Sequence, residues 1–332
     1  MKTFSCTGKM PVLPTTVDCL RVSVTDRCNM RCIYCMPPEG IPQGSRHEIL
    51  RFEEIVTVVR FLRDHYGLHT VRLTGGDPLV RPQIVKLAAM LARLDLADLA
   101  LTTNGQRLSV LARSLREAGV DRVNISLDSL DRTRFSRLTR GGRLDLTLAG
   151  IEAAQAAGFR SVKINTVVLR DENDFEVCDL VRFALAAGLE IRFLELMAIG
   201  IAAARHPFWF VSSREVRERL EAEFRLVAFE STVEERTRIY LAEDCRGRTT
   251  RVGFISPVTE PFCASCQRLR LTADGRLLGC LMHSTGPDLL PLLRRPGSPD
   301  FVRLDRAIGA TLEAKYALRN SSSPRLMAGI GG

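Results

Sequence analysis

Between residues 20 and 197 the chain alternates short β-like runs with longer helical patterns. The six strand candidates are LRVSVTD (20–26), TVRLTGG (70–76), LALTTNG (99–105), RVNISLD (122–128), SVKINTVVL (161–169) and EIRFLEL (190–196). Amphipathic stretches such as FEEIVTVVRFLRDHY and LDLTLAGIEAAQAAG separate these runs. Six strand–helix repeats predict a parallel α/β sheet, either open or curled toward a barrel.

Within the strand candidates, apolar residues occupy one set of alternate positions and polar residues the other. Because side chains alternate across a strand, each strand has an apolar face that can pack under helices and a polar face. Four cations fall on the polar face, namely Arg21, Arg72, Lys163 and Arg192. We expect them to project into a shared cavity for an anionic ligand. The alternative, pairing with acids at strand ends, explains one or two of them.

After Met197 the alternation ends at AIGIAAARHPFWFVSS, and the pattern that follows predicts a helix at about 213–223. β-like runs in RVGFISPV and LRLTADGRLLGC then indicate a smaller C-terminal subdomain. The expected organisation has four parts: an N-terminal extension (1–19), a core (20–200), a C-terminal subdomain (201–319) and a flexible Ser- and Gly-rich tail (320–332).

Composition narrows the functional classes. The N-terminus lacks the apolar stretch of a signal peptide, and the most apolar window carries Arg93, Asp95 and Asp98, so we expect a cytoplasmic protein with no membrane partner. Ten cysteines in such a protein suggest metal or redox chemistry rather than disulfides. The net charge of +9 is scattered among acids, which favours a solvated surface over a nucleic-acid patch and leaves an anionic small substrate open.

The stretch DRCNMRCIYCMPPEG places Cys28, Cys32 and Cys35 in a C-x3-C-x2-C pattern directly after the first predicted strand. Active sites of α/β proteins lie at this carboxyl end of the sheet. Zinc sites and ordinary iron–sulfur clusters take four protein ligands, and no histidine lies in this loop before His47. Three thiolates on a cubane cluster would leave one iron free to bind an exogenous ligand.

A second set comprises Cys263, Cys266 and Cys280. His283 completes a C-x2-C-x13-C-x2-H zinc-ribbon pattern, and spacing alone favours zinc. Two features favour a second incomplete cluster instead. Arg268 and Arg270 alternate on a predicted strand beside the cysteines, as in an anion clamp, and the first set already has only three cysteines.

The first cysteine motif, with Tyr34 before its last cysteine, and the later GG-acidic-Pro motif in LTGGDPL resemble the radical SAM superfamily. Paired glycines there allow backbone to approach a ligand closely, although a tight turn would use the same residues. Within the superfamily the chain is similar to the GTP 3′,8-cyclase family of molybdenum cofactor biosynthesis over about residues 20 to 332. The matching segments are LRVSVTDRCNMRCIYCMP, VRLTGGDPLVR, LTTNG, NISLDSLD, KINTVVL, IRFLELM, FCASCQRLRLTADGRLLGC and the terminal Gly331–Gly332.

This resemblance implies an α/β fold, an incomplete (βα)6 TIM-like barrel with a smaller C-terminal α+β subdomain. It implies one [4Fe–4S] cluster on the first cysteine set, whose open iron binds S-adenosylmethionine (SAM). A second [4Fe–4S] cluster on the second set would bind the guanine of GTP, so His283 would not be a ligand. The implied enzyme is a lyase in which a 5′-deoxyadenosyl radical takes hydrogen from C3′ of GTP, and C3′ then attacks C8.

The resemblance also assigns individual residues. Its SAM contacts fall on Tyr34, Gly76, Ser126 and Met197. Its GTP contacts fall on Arg21, Arg72, Thr102, Lys163, Arg268 and Arg270, of which Arg21, Arg268 and Arg270 are the catalytic candidates; Arg192 is added from strand alternation. The implied partners are GTP, an electron donor and the cyclic pyranopterin monophosphate synthase that acts next. A homodimer is left open, no nucleic acid is expected, and the Gly-Gly tail is expected to reach the active site.

Three features depart from the family pattern. Asp77 stands where the family usually has Glu, the segment CTGKMPVLPTTVDC replaces the usual lead-in, and Cys6 and Cys19 have no assigned role. Two other functions remain as alternatives. One is a radical SAM enzyme that modifies a peptide and carries an auxiliary cluster, and the other is a zinc-ribbon protein that binds nucleic acid.

Overall fold

The computed structural model describes residues 16–41, 45, 47–229, 237–263, 266–282 and 285–319. The strands within them are β1 (Cys19–Ser23), β2 (Thr70–Thr74), β3 (Asp98–Thr103), β4 (Arg122–Ser126), β5 (Ser161–Val168), β6 (Glu190–Glu195), β7 (Arg225–Phe229), β8 (Arg238–Glu243), β9 (Thr249–Ile255), β10 (Arg268–Leu271) and β11 (Leu277–Leu278). Most of the predicted N-terminal extension, the tail from residue 320 and His283 lie outside the described residues.

Helices follow the strands in the predicted alternation. They are α1 (Phe52–Tyr66), α2 (Ile84–Ala92), α3 (Leu108–Glu117), α4 (Arg132–Thr139), α5 (Leu144–Ala156), α6 (Val177–Ala187), α7 (Ala202–Trp209), α8 (Ser213–Glu221), α9 (Leu290–Leu293) and α10 (Phe301–Arg319). The α1 helix coincides with the sequence pattern, because its buried residues recur every three to four positions. It ends at Gly67, whose φ of 69° is the left-handed conformation that glycine adopts without strain.

The sheet is open, in the strand order β11-β10-β1-β2-β3-β4-β5-β6-β9-β8-β7. The first six strands run parallel in chain order and are joined by helices, which confirms the predicted α/β fold and incomplete barrel. The C-terminal segment extends the sheet at both edges. Its β10 pairs with β1 and its β9 pairs with β6, both in parallel, while β7, β8 and β11 join in antiparallel.

The core lies between the apolar face of the parallel strands and the helices. Val22, Leu73, Val123 and Ile164 are fully buried in one cluster that also contains residues of the packed helices. Burying a side chain of this size contributes about 1.5–3 kcal/mol, so the alternation of apolar residues fixes which face of each strand meets the helices. The opposite face, with its polar side chains, is left to line the site.

Candidate active site

The first cysteine set lies in the loop after β1, at the carboxyl end of the parallel strands. The loop is tied to the end of α4, because the backbone N–H groups of Arg31 and Ile33 donate to carbonyl oxygens of Thr139 and Leu138, each at 2.9 Å. Within the loop, the Cys35 N–H donates to the Cys32 carbonyl at 2.9 Å. These bonds hold the three cysteines of the motif on one short, anchored segment.

The thiols of Cys28 and Cys32 are partly buried beside negatively charged groups, whereas Cys35 is exposed. Burial raises the pKa of Cys28 to about 11, and the charges of Asp77 and Cys35 act in the same direction. Burial and the charge of Asp128 raise the pKa of Cys32 well above its usual value. Metal binding at these thiols therefore has to displace protons.

The spacing of the thiols bears on which metal group they could hold. Among the described residues, no three His, Cys, Asp or Glu side chains lie close enough together to hold a single metal ion. In a cubane cluster each thiolate binds a different iron, so its ligand sulfurs lie further apart than those of a zinc site. Three cysteines with no histidine before His47 match the donor set of a cluster with one open iron better than that of a four-ligand zinc site.

The glycine pair after β2 has a structural cause. A Cβ on Gly75 would lie 2.6 Å from the carbonyl oxygen of Thr25, and one on Gly76 would lie 2.2 Å from that of Arg27. The Gly76 N–H donates to the Thr25 carbonyl at 2.8 Å. The close approach that we expected between these glycines and a ligand is thus, in the structure, an approach to the backbone entering the first cysteine loop.

Asp77 uses its carboxylate to connect two loops. It is only 2% exposed, and its Oδ2 accepts hydrogen bonds from the Thr103 Oγ1 at 2.8 Å and the Asn104 N–H at 2.7 Å. Its Oδ1 accepts from the Leu79 N–H at 2.9 Å. Asn104 Nδ2 also reaches the Cys28 sulfur at 3.8 Å. The LTTNG segment therefore supports the first cysteine loop through Asp77, a link that the motif alone did not reveal.

The predicted SAM contacts lie at the same end of the sheet. The Tyr34 hydroxyl donates to Asp128 Oδ2 at 2.7 Å, and burial raises the pKa of Asp128 to about 6. Ser126 is the last residue of β4, and Met197 follows β6 by two positions. Sequence reasoning missed Asp128, although its place at the end of the NISLD segment was an available signal. These positions bring the four predicted residues to one region, and their contact with SAM stays a prediction.

Arginines from three neighbouring strands form a row on the polar face. The register pairs Arg270 of β10 with Arg21 of β1, and Arg21 with Arg72 of β2. Directly opposed residues of neighbouring strands project to the same face, so these three guanidinium groups lie side by side. Arg268 is opposite Cys19 in the same register. We call Arg270, Arg21 and Arg72 the arginine row.

The arginine row carries uncompensated charge. In the part of the chain that the structure describes, none of its members pairs with a carboxylate, and the Nε atoms of Arg21 and Arg72 are buried without a hydrogen-bond partner. Burial and the neighbouring arginines lower the pKa of Arg21 and of Arg72 to about 9, so both stay charged at neutral pH. Buried cations without acid partners are costly unless an anion completes the site.

The second cysteine set borders the arginine row. Cys266 precedes β10 by two positions, and Cys280 follows Leu278 of β11, which pairs with Arg270. Burial lowers the pKa of Arg270 to about 10, and the charges of Cys280 and Cys266 act in the opposite direction. The Cys266 N–H donates to the Cys263 carbonyl at 3.2 Å. His283, the zinc ligand that spacing alone favoured, lies outside the described residues. The three cysteines thus come together at the β10 edge, beside the predicted GTP-binding arginines.

The remaining predicted GTP contacts are arranged differently. Lys163 Nζ and Arg192 Nε both bind the carboxylate of Glu190, at 2.9 Å and 2.6 Å. The alternative that some cations of the polar face pair with strand-end acids therefore applies to these two. Their pairing with Glu190 sets them apart from the arginine row, and their contact with GTP stays a prediction. Thr102 accepts from Asn124 Nδ2 at 3.4 Å on the same face.

Comparison with known proteins agrees with this arrangement. Residues 22–184 match the Radical SAM superfamily, and residues 189–319 match the family described as Molybdenum Cofactor Synthesis C. A protein of Pseudomonas putida described as GTP 3′,8-cyclase is 48% identical over 304 residues, covering 90% of this chain and 89% of that protein. The chain belongs to the GTP 3′,8-cyclase family. GTP 3′,8-cyclase 1 of Pseudomonas aeruginosa is similarly close, at 47% identity over 92% of both chains.

Solved structures support the fold of this GTP 3′,8-cyclase family member. Streptococcus suis SuiB bound to S-adenosylmethionine superposes with a TM-score of 0.56 and 15% identity, covering 95% of this chain and 77% of that chain. SuiB bound to the precursor peptide SuiA gives 0.57 and 14% identity, with coverage of 85% and 66%. At this identity the likeness concerns the fold alone.

Membership of the radical SAM superfamily implies SAM and one [4Fe–4S] cluster. The three cysteines after β1, which would leave one iron of a cubane without a protein ligand, lie on an anchored loop and fit that group. Within the described residues, no helix combines the length and the apolarity needed to cross a membrane.

Proposed function

We propose that the protein is a lyase that converts GTP to (8S)-3′,8-cyclo-7,8-dihydroguanosine 5′-triphosphate, the first step of molybdenum cofactor biosynthesis. Family membership at 48% identity supports the reaction. The structural observation that carries the substrate assignment is the arginine row beside the second cysteine set. Among the described residues these half-buried arginines have no acid partner, and such a row suits a polyanion such as a nucleoside triphosphate.

Residues of the first cysteine set would hold a [4Fe–4S] cluster. When bound there with SAM, the cluster supplies a 5′-deoxyadenosyl radical for hydrogen abstraction from C3′ of GTP. The chain's own contribution is placement. Asp77 ties the β2 and β3 loops together, Tyr34 is fixed by Asp128, and Gly76 lets the cysteine loop approach. We assign SAM binding to Tyr34, Gly76, Ser126 and Met197.

The second cysteine set would hold a second [4Fe–4S] cluster facing the substrate. Cys263, Cys266 and Cys280 supply three thiolates, and the neighbouring arginines keep the region positive. Arg21, Arg268 and Arg270 would orient the substrate and stabilise negative charge during cyclisation. Arg72 and Thr102 would also contact the substrate. Lys163 and Arg192 would contact it while they remain bound to the Glu190 carboxylate. The other proposed partners are an electron donor and the synthase that acts next in the pathway.

The substrate assignment is tested with reduced protein under anaerobic conditions. Incubation with SAM and GTP is expected to yield 5′-deoxyadenosine, whereas SAM alone is not. ATP is the matched control, because it carries the same triphosphate on a different base. Equal yields of 5′-deoxyadenosine with ATP and GTP would contradict the assignment of GTP.

Metal analysis separates the alternatives. Anaerobically purified protein is expected to contain about eight irons per chain for two clusters, against about four for one. One zinc with few irons would instead indicate the zinc-ribbon alternative. The peptide-modifying alternative predicts 5′-deoxyadenosine formation with a peptide and none with GTP.

A further inference from the structure

The C-terminal helix α10 directs one buried lysine toward the second cysteine set. The helix buries Leu304, Ile308 and Leu312 along one stripe, with Thr311 and Lys315 beside it at helical spacing. Lys315 is only 4% exposed. A lysine in a buried stripe is unusual, because desolvating an ammonium is costly.

The ammonium of Lys315 contacts two separate segments that build this site, residues 266–268 and Gly279. Its Nζ donates to the carbonyl oxygen of Gly279 at 2.8 Å, to that of Arg268, and to the sulfur of Cys266 at 3.5 Å. Gly279 directly precedes Cys280, and Arg268 begins β10. One side chain thereby joins two of the three cysteine segments to the strand that carries the arginines.

Carbonyl contacts alone do not explain why this residue is charged. The two carbonyl oxygens accept hydrogen bonds from the ammonium. A methionine of similar volume would fill the same space without the cost of removing a charged group from water. The contact with Cys266 offers a reason. Hydrogen bonds to ligand sulfurs and nearby net charge both set the reduction potential of an iron–sulfur cluster.

We propose that Lys315 is a positioning residue that raises the reduction potential of the second cluster. Its N–H···S bond to Cys266 and its positive charge stabilise the reduced cluster, which carries one more negative charge. Its carbonyl bonds hold Arg268 and Cys280 in register with that sulfur. The inference rests on the proposed second cluster, so its test must first establish that the cluster exists.

The test uses the full-length protein with Cys28, Cys32 and Cys35 all changed to Ala, which leaves the second set as the cluster site. About four irons per chain are expected in this parent protein. Lys315→Met in the same background is expected to keep this iron and to lower the midpoint potential, measured by redox titration monitored by electron paramagnetic resonance. A tenfold weaker reduction equilibrium corresponds to about 59 mV for one electron.

Thr311→Val is the matched control. Thr311 is buried one turn earlier on α10, and its hydroxyl donates to the Ala307 carbonyl at 2.8 Å. We expect this variant to leave iron content and potential unchanged. If Thr311→Val lowers the potential as much as Lys315→Met does, the effect belongs to helix docking and the proposal fails.

Lys315→Gln covers the case in which Lys315→Met loses iron, because glutamine keeps an N–H donor without the charge. A lowered potential in Lys315→Gln supports the proposal, and an unchanged potential in an iron-loaded variant overturns it. Loss of iron in both variants would assign Lys315 to assembly alone, which also overturns it. A parent protein without iron would refute the second cluster itself, which is a failure of the proposed function.

Discussion

Around Cys28 and Cys32, the charged side chains acting on the thiols are the carboxylates of Asp77 and Asp128. The thiols of Cys266 and Cys280 instead flank Arg270 of β10, because Cys266 precedes this strand by two positions and Cys280 follows Leu278, the residue opposite Arg270. Each set supplies three cysteines, yet one lies in a negative region and the other in a positive one. The number and type of ligands are therefore the same, and the surroundings decide what each set can bind.

This difference matches the charges of the two proposed ligands. SAM carries a sulfonium cation, which suits a region with acidic side chains, whereas a triphosphate suits the arginine row. The two ligands would therefore occupy regions of opposite charge, one beside Asp77 and Asp128 and the other beside the arginine row. Glu190 binds both Lys163 and Arg192, so its single negative charge offsets half of theirs at the far end of the face.

The largest expected effect comes from Gly76→Ala, which should damage the negative region alone. A Cβ there would lie 2.2 Å from the Arg27 carbonyl oxygen and 2.9 Å from the Cys28 nitrogen, and backbone atoms cannot give way cheaply. We expect iron to fall from about eight to about four per chain and 5′-deoxyadenosine formation to be lost. Iron analysis and product chromatography measure both.

Gly309→Ala is the control for that substitution. A Cβ at Gly309 in α10 meets nothing within 4 Å, and alanine favours a helix by about 1 kcal/mol over glycine. Its iron content and activity should match those of the unmodified protein. Full iron and activity in Gly76→Ala would show that the two loops can separate, and would remove the steric explanation of the glycine pair.

Next in size is Arg270→Ala, which should affect the positive region alone. A hydrogen bond to a charged group contributes about 1.5–3 kcal/mol, so kcat/KM for GTP should fall by roughly 10- to 150-fold with iron content unchanged. Arg192→Ala is the comparison, and a smaller loss is expected because Arg192 already binds Glu190. Equal losses in steady-state assays of the two variants would contradict the division of the cations into free and paired groups.

The third prediction concerns stability rather than iron content or turnover, and it uses Glu190→Gln. The charges of Arg192 and Lys163 lower the pKa of Glu190 against the opposing effect of burial. Because the folded-state pKa is depressed, the pair stabilises the protein above the unfolded pKa and loses this contribution as pH falls through the folded value. Removing one partner of a buried pair costs about 3 kcal/mol.

Urea denaturation at two pH values checks that stability prediction. At pH 7 Glu190→Gln should be less stable than the unmodified protein, and the difference should shrink as the pH falls below the ordinary carboxyl value of 4.5. Arg113, exposed and paired with Glu117, offers a surface control, since Glu117→Gln should change stability by less than about 1 kcal/mol at either pH. A constant difference at both pH values would mean that the ion pair is not its cause.

Local pattern was enough to predict much of the fold and part of the site. Alternation in LRVSVTD and TVRLTGG placed Arg21 and Arg72 on one face, since strand geometry fixes which residues share a side. The same alternation could not show that Arg192 binds Glu190, two residues away, rather than a ligand. That choice depends on rotamers and on the pairing of Lys163 with Glu190 across β5 and β6.

The pairing of strands that are distant in sequence was the other feature that the sequence could not predict. Nothing in the sequence pattern indicates that β10 lies beside β1, because the register of distant strands depends on packing of the whole sheet. Without that pairing, Arg270 could not be placed next to Arg21, nor the second cysteine set next to the arginine row. Lys315 was missed for the same reason, since its contacts lie on two segments that are remote from α10 in sequence.

The pairing of β10 with β1 has a consequence for the order in which the protein forms during synthesis. The two strands are separated by most of the chain, and pairings of such high sequence separation form slowly because they must first close a long loop. The ribosome releases β1 to β6 well before β10. The nascent chain can therefore form the loop for the first cluster early, whereas the edge of β1 stays unpaired until β10 has been synthesised.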